Sequence, residues 1–298
     1  MKQEPRPVRE GIPALQGREE VNAEFSSADL PPIVRALRAA GCVFAEDEAR
    51  LLASSARDAA GLADMVERRA AGLPLERVLG WAEFCGQRIA VDPGVFVPRR
   101  RTEFLARVAI TLGWQAAVPG RPVAVLDLCC GSGAVGAAVA AALCRAEAGG
   151  VELHAADADR AAVRCARRNL AAAGGRVYLG DLYDPLPAAL RGRVDVLTAN
   201  VPYIPAGQIR LLPPEARLHE PRAALDGGPD GLDVLRRVAA GAPGWLAPGG
   251  SLVSEVSEGQ GRPARQAFRA AGLGTRLTAS EDLGATVVVG TRFGPAHR

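Results

Sequence analysis

Strand-forming and helix-forming segments alternate from Pro122 onward, a glycine-rich turn follows the first of those strands, and short amphipathic helical patterns crowd the region before residue 76. Together these predict an α/β protein: a Rossmann-like, mostly parallel sheet with helices on both faces, closed by a terminal antiparallel hairpin and preceded by a small helical domain. Residues 1–24, rich in Pro, Gly and charge, read as a disordered extension. Residues 25–75 read as a small helical domain. Apolar residues recur there at three- and four-residue steps in 33–41, 46–59 and 62–72, and Gly41, Gly61 and Gly72 stand where such helices stop. Residues 76–110 read as a linker. Ala82–Cys85 and Arg88–Val91 form a hairpin across Gly86, followed by a helix from about Thr102 to Leu112.

The main domain is assigned to residues 111–298. Its expected strands are 123–128, 151–157, 176–181, 194–200 and 251–256, with helices after the first two, near 232–240 and at 262–271, and a last pair of strands between Arg276 and Gly290. A loop rich in Pro and Gly separates the fourth strand from the helix near Leu232.

Composition narrows the function classes. The chain of 298 residues is 48% hydrophobic and 23% charged, enough for a substantial core. No run approaches the length of a membrane span, and the Ala- and Val-rich stretch Ala134–Cys144 reads as a buried helix. The first residues carry no apolar signal region, and the six cysteines include no C-x-x-C pair, so neither a metal site nor a disulfide framework is expected. A cytoplasmic, soluble protein is expected. The formal net charge of +3 is too mild to mark a nucleic-acid binder, and Lys2 is the only lysine.

Asp127-Leu128-Cys129-Cys130-Gly131-Ser132-Gly133 lies between the first main strand and its helix, where backbone N–H groups can face a ligand. Gly136 completes a formal G-x-G-x-x-G, so a dinucleotide remains an alternative on this motif alone. Two acids sharpen the reading. Asp157, ending the second strand, suits a pair of ribose hydroxyls, and Asp181, ending the third, suits an adenine amino group. Asp127 would orient the loop or meet the amino group of a methionine moiety.

Asn200-Val201-Pro202-Tyr203 follows the fourth strand, on the edge that carries the glycine turn. A planar nitrogen, amide or exocyclic amine, is a poor nucleophile because its lone pair is delocalised. The Asn200 side-chain oxygen and the Val201 carbonyl can each accept one of its N–H bonds, and Tyr203 can cover its flat face. Such a grip aligns the nitrogen with a methyl group, which points to an N-methyltransferase using S-adenosyl-L-methionine rather than to a hydride-transfer enzyme.

These residues resemble the bacterial release-factor glutamine N(5)-methyltransferase family, a family of class I S-adenosylmethionine-dependent methyltransferases. The likeness runs from about Leu75 to Gly261. It is carried by LERVLGWAEFCGQRIAVDPGVFVPRRRTEFL, DLCCGSGAVG, GDLYDPL, HEPRAALDGGPDGL and LAPGGSLVSEVSEGQG, in the family's order. The resemblance implies methylation of the side-chain amide of the glutamine in the Gly-Gly-Gln loop of class I peptide chain release factors. It also implies a substrate-recognition role for the helical domain of 25–75, cofactor contacts from Cys129 through Gly133 and from Asp157, Leu182 and Asn200, and substrate contacts from Asn200 through Tyr203. Three departures fit a divergent paralogue: Val201 where the family has Pro, Cys129 where it usually has Gly, and Arg100 and Arg101 where it has Pro and an acidic residue. Methylation of an adenine amino group or of a small natural product stands as the alternative.

Overall fold

The computed structural model describes residues 30–145 and 150–294; the extension assigned to 1–24 lies outside them. Helices α1 (Leu30–Ala39), α2 (Ala45–Ser55), α3 (Ala59–Ala70) and α4 (Leu75–Leu79) close around Leu37, Ala49, Leu52, Leu62 and Val78. Asp58 starts α3 by accepting the Gly61 N–H at 2.7 Å, satisfying one of the free donors of a first turn. A hairpin of β1 (Trp81–Phe84) and β2 (Gln87–Ala90) follows, then α5 (Glu103–Ala116).

The remaining elements are β3 (Val123–Leu128), α6 (Ala134–Arg145), β4 (Val151–Asp157), α7 (Arg160–Leu170), β5 (Arg176–Leu179), β6 (Val194–Ala199), α8 (Pro214–His219), α9 (Asp233–Gly241), β7 (Leu246–Val256), α10 (Gly261–Ala270), β8 (Leu273–Ser280) and β9 (Ala285–Arg292). Seven strands form one sheet in the order β5-β4-β3-β6-β7-β9-β8. The first five are parallel, and β9 enters antiparallel between β7 and β8. This is the mostly parallel sheet with a terminal hairpin that the sequence predicts.

Every residue of β3 and of β6 is buried, as strands covered on both faces must be. Alternate β3 residues serve the two faces: Val123 and Val125 pack with α5 and α6, Leu126 and Leu128 with α9 and α10. From β3 the chain steps outward to β4 and β5, then returns to β6 on the other side, so a crevice opens beyond the carboxyl ends of β3 and β6.

Several elements differ from expectation. Strand β7 begins at Leu246 rather than Ser251, because the exposed Pro248-Gly249 turn is accommodated by a register shift against β6 near Val194 and Val196. The short helix α8 lies where Pro density suggested only loop; Pro214 occupies a first-turn position, where a missing N–H costs nothing. Strand β5 stops at Leu179, so Asp181 sits in the turn after it. No helix among the described residues is long and apolar enough to cross a membrane.

Candidate active site

A cavity of about 800 Å³ fills the crevice. Asp127, Cys129, Cys130, Gly131, Ser132, Asp157, Asp181 and Leu182 line one half, and Asn200, Val201, Pro202 and Tyr203 line the other. The structure thus brings together all but one of the sequence-predicted site residues. Gly133 is the exception: it faces α7, where an added Cβ would stand 3.1 Å from Leu170 and 3.2 Å from Ala166, so its smallness serves helix packing. Gly131 differs. Its φ is 54° and an added Cβ would meet nothing within 4 Å, which leaves its backbone bare toward the cavity.

The carboxylates hold this turn in shape. Asp157 accepts the Gly131 N–H at 2.8 Å through one oxygen and the Asp159 N–H at 2.9 Å through the other. Each oxygen keeps a further lone pair for a hydroxyl. Asp127, almost wholly buried, accepts the Gly136 N–H at 3.0 Å and the Thr198 hydroxyl at 2.8 Å, tying the start of α6 to β6. Burial pushes its carboxyl up to about 7, against the pull of those two hydrogen bonds. Burial also raises the Asp157 carboxyl, opposed by the Asp159 and Gly131 N–H groups. Asp181 is exposed and pairs with Arg237 at 2.5 Å. Burial lifts the thiols of Cys129 and Cys130 far above their ordinary range, so neither is a thiolate at neutral pH.

The other half is assembled from distant segments. Asn200 follows β6 and donates through Nδ2 to Thr102 Oγ1 at 3.3 Å. The Asn200 Oδ1 is buried without a hydrogen-bond partner among the described residues, on a residue that lines the cavity. A buried acceptor left open is costly unless a ligand supplies the donor. Tyr203 donates its hydroxyl to Glu255 Oε1 at 2.9 Å, and burial, with Glu255 beside it, holds that phenol well above its usual range.

The segment after α8 explains a signature that the sequence presents only as a string. Ile204 N–H donates to Leu225 O, Gly227 N–H to Ile204 O and Ala206 N–H to Gly228 O, so residues 225–228 lie along the acceptor segment. An added Cβ at Gly227 would stand 2.6 Å from Gly231 O and 2.7 Å from Pro202 O. Gln260 closes the other side, donating to Tyr203 O at 2.8 Å and Asp230 O at 3.1 Å. Sequence reasoning missed Gly227, Gly231, Gln260 and Glu255 as supports, although the Gly-Gly-Pro-Asp-Gly spacing was the visible trace of close backbone approach. It also missed Glu220, which is buried and accepts from Arg99 at 2.5 Å and from Arg77 and the Val97 N–H at 3.4 Å each. That cluster ties α4, the segment before α5 and the end of α8 to one carboxylate; burial raises its carboxyl and the two arginines pull it down.

The bare Gly131 turn and the diol-ready Asp157 fit one group, S-adenosylmethionine, and the fold with this site defines an S-adenosylmethionine-dependent methyltransferase. The family model described as Methyltransferase small domain matches residues 114–228. The chain is 40% identical over 232 residues to the release factor glutamine methyltransferase of Geobacter sulfurreducens, covering 77% of each chain. It is 38% identical over 208 residues to that of Moorella thermoacetica, covering 70% of each. The protein belongs to the release factor glutamine methyltransferase family. It is also 40% identical over 209 residues to a 4-amino-L-phenylalanine/4-methylamino-L-phenylalanine methyltransferase of Streptomyces pristinaespiralis, covering 70% of this chain and 69% of that one.

Proposed function

We propose that this enzyme methylates the side-chain amide nitrogen of a protein glutamine, the one in the Gly-Gly-Gln loop of class I peptide chain release factors. The observation that carries the reading is Asn200, which lines one cavity with Gly131 and Tyr203 and whose Oδ1 is buried without a hydrogen-bond partner among the described residues. The names of the relatives in Geobacter and Moorella support the same acceptor.

The chain's own residues divide the work. Gly131, Ser132, Asp157, Asp181 and Leu182 bind the methyl donor, which supplies an electrophilic methyl carried on sulfur. Asn200 Oδ1 accepts one amide N–H and the Val201 carbonyl the other. With both hydrogens held, the nitrogen faces the methyl and positive charge can build on it beside two oxygen dipoles. Val201 keeps the geometry that a proline would impose here, since the following Pro202 also drives it toward extended backbone angles. Tyr203 covers the amide plane. No strong base is needed, because the proton leaves after the methyl has transferred.

Mass spectrometry of a class I release factor incubated with enzyme and S-adenosylmethionine tests the reading. The expected result is one added methyl on the loop glutamine; an unmodified, well-folded release factor would refute it. A second acceptor, a free aromatic amine, is favoured by the similarity to the Streptomyces pristinaespiralis enzyme. Methylation of 4-amino-L-phenylalanine, with the release factor untouched, would establish that alternative.

A further inference from the structure

Tyr203 is the aromatic residue of the acceptor segment, and its backbone and its ring are held by different means. Gln260 and the 227–231 turn hold the backbone. The ring is held by residues from two other parts of the chain. Its hydroxyl donates to Glu255 Oε1 at 2.9 Å, and Arg101 Nε donates to the same oxygen at 3.0 Å. The Arg101 guanidinium carbon lies 5.6 Å from the Tyr203 ring centroid, within cation–π range. Arg101 and Tyr203 both line the cavity, while Glu255 stands behind them near the end of β7.

Glu255 is only 2% exposed, and its Oε2 is buried without a hydrogen-bond partner among the described residues. A carboxylate in such a place needs a cation, and removing that cation leaves a buried charge uncompensated. Arg101 is the cation that meets it. The Tyr203–Glu255 bond therefore depends on a residue that touches Tyr203 only by its guanidinium face. We propose that Arg101, acting through Glu255, is the positioning residue that fixes the Tyr203 ring as the wall of the acceptor pocket. The role of that wall rests on the N-methylation reading above; the three-residue clamp itself does not. Arg101 thereby has a task beyond charge: it stands where a second carboxylate would repel Glu255.

Two measurements on the full chain test this. Kinetics with the release factor compare wild type with Arg101→Ala, Arg101→Lys, Tyr203→Phe and the Arg101→Ala/Tyr203→Phe double variant. Arg101→Ala is expected to lower kcat by about tenfold, as a modestly misplaced contact does. S-adenosylhomocysteine affinity by calorimetry should stay within about twofold, Arg101→Lys should regain most of the rate, and the double variant should be no slower than the worse single one. A KM increase with kcat unchanged would overturn the proposal by making Arg101 an acceptor-binding group, and additive losses would overturn it by uncoupling the two residues. Thermal melts of the same variants need no acceptor. Arg101→Ala and Tyr203→Phe should each lower Tm by about 2–4 °C, with the double variant falling short of the sum. Additive melts sink the clamp whatever the acceptor is. A wild-type enzyme inert toward the release factor, with coupled melts, would sink the glutamine reading and leave the clamp standing.

Discussion

The two halves of the cavity are built by different rules. The donor half comes from the turns after β3, β4 and β5, where strand ends and one helix start converge because the sheet is parallel. Its internal bonds join neighbouring units, such as Asp157 to Gly131 and Asp127 to Gly136. The acceptor half is drawn from far apart: Asn200 leans on Thr102, Tyr203 on Glu255 and Gln260, and Glu255 on Arg101. The first half is preformed by topology. The second is held by a few buried long-range bonds, so damage there should reach turnover while leaving donor binding intact.

The largest expected effect tests that separation directly. Asn200→Ala should lower kcat by roughly a hundredfold or more, as loss of one transition-state hydrogen-bonding group does. S-adenosylhomocysteine affinity measured by calorimetry should change little. A comparable loss of donor affinity would mean that the halves are not separable at Asn200. Next in size is Gly227→Ala, whose Cβ would press on Gly231 O and Pro202 O. Displacement of the acceptor segment by a fraction of an ångström should lower kcat by about ten- to a hundredfold. Donor binding should again survive, and unchanged turnover would show that the 227–231 turn can yield without moving Pro202.

How much of this was legible in the sequence follows the same division. Strands β3 and β4 matched their expected limits residue for residue because both ends are marked, by Pro122 and the glycine turn in one case and by Gly150 and Asp157 in the other. The glycine turn and Asp157 were legible for the same reason, since each marks a strand end; Asp181 and Leu182 lie in the turn beyond β5, which stops at Leu179. Asn200 through Tyr203 stood out as a motif, but its supports did not. Glu255 sits in the apolar run Leu252–Val256 as a single acid, and Gln260 in a Ser-Glu-Gly-Gln-Gly turn, with no local pattern aiming either at Tyr203. Their meaning lies in pairings across 52 and 57 residues, which no window of periodicity contains. Arg101 read as half of a basic turn; only the fold sets it on the acid of β7.

A smaller effect should belong to the donor half alone. Because burial holds the Asp127 carboxyl up at about 7, it is largely protonated below that pH in the free enzyme. An ammonium group on the methionine end of the donor favours the carboxylate, so donor affinity should strengthen from pH 6 to pH 8 and level off above 7. The slope below 7 is at most about tenfold per pH unit, the limit for one linked proton. The sign for folding is opposite. The native chain keeps a proton that the unfolded chain releases above about 4, so this group's contribution to stability falls as pH climbs toward 7. Calorimetric titrations across that range check the first claim, and the pH slope should flatten in Asp127→Asn. A slope of the same size in that variant would move the effect to Asp157, whose raised carboxyl titrates in the same direction.

The smallest expected effect concerns Cys129, a donor-half position where the resemblance leads one to expect glycine. Cys129 lines the cavity with φ of 53°, a left-handed conformation. For a non-glycine residue that backbone costs about 1–2 kcal/mol, whereas glycine loses about 0.5–1 kcal/mol more on folding for its greater freedom. The two terms nearly cancel, so Cys129→Gly should shift Tm by no more than about 4 °C. Removing a side chain that lines the cavity also clears space there, and donor affinity should rise by about two- to fivefold, the equivalent of 0.5–1 kcal/mol. Calorimetry and a thermal melt read both. If affinity falls instead, the Cys129 side chain is a contact and the donor half has been retuned around it. If it rises while kcat stays constant, the halves are independent in both directions, and the departure at Cys129 is a tolerated local strain with no part in choosing the acceptor.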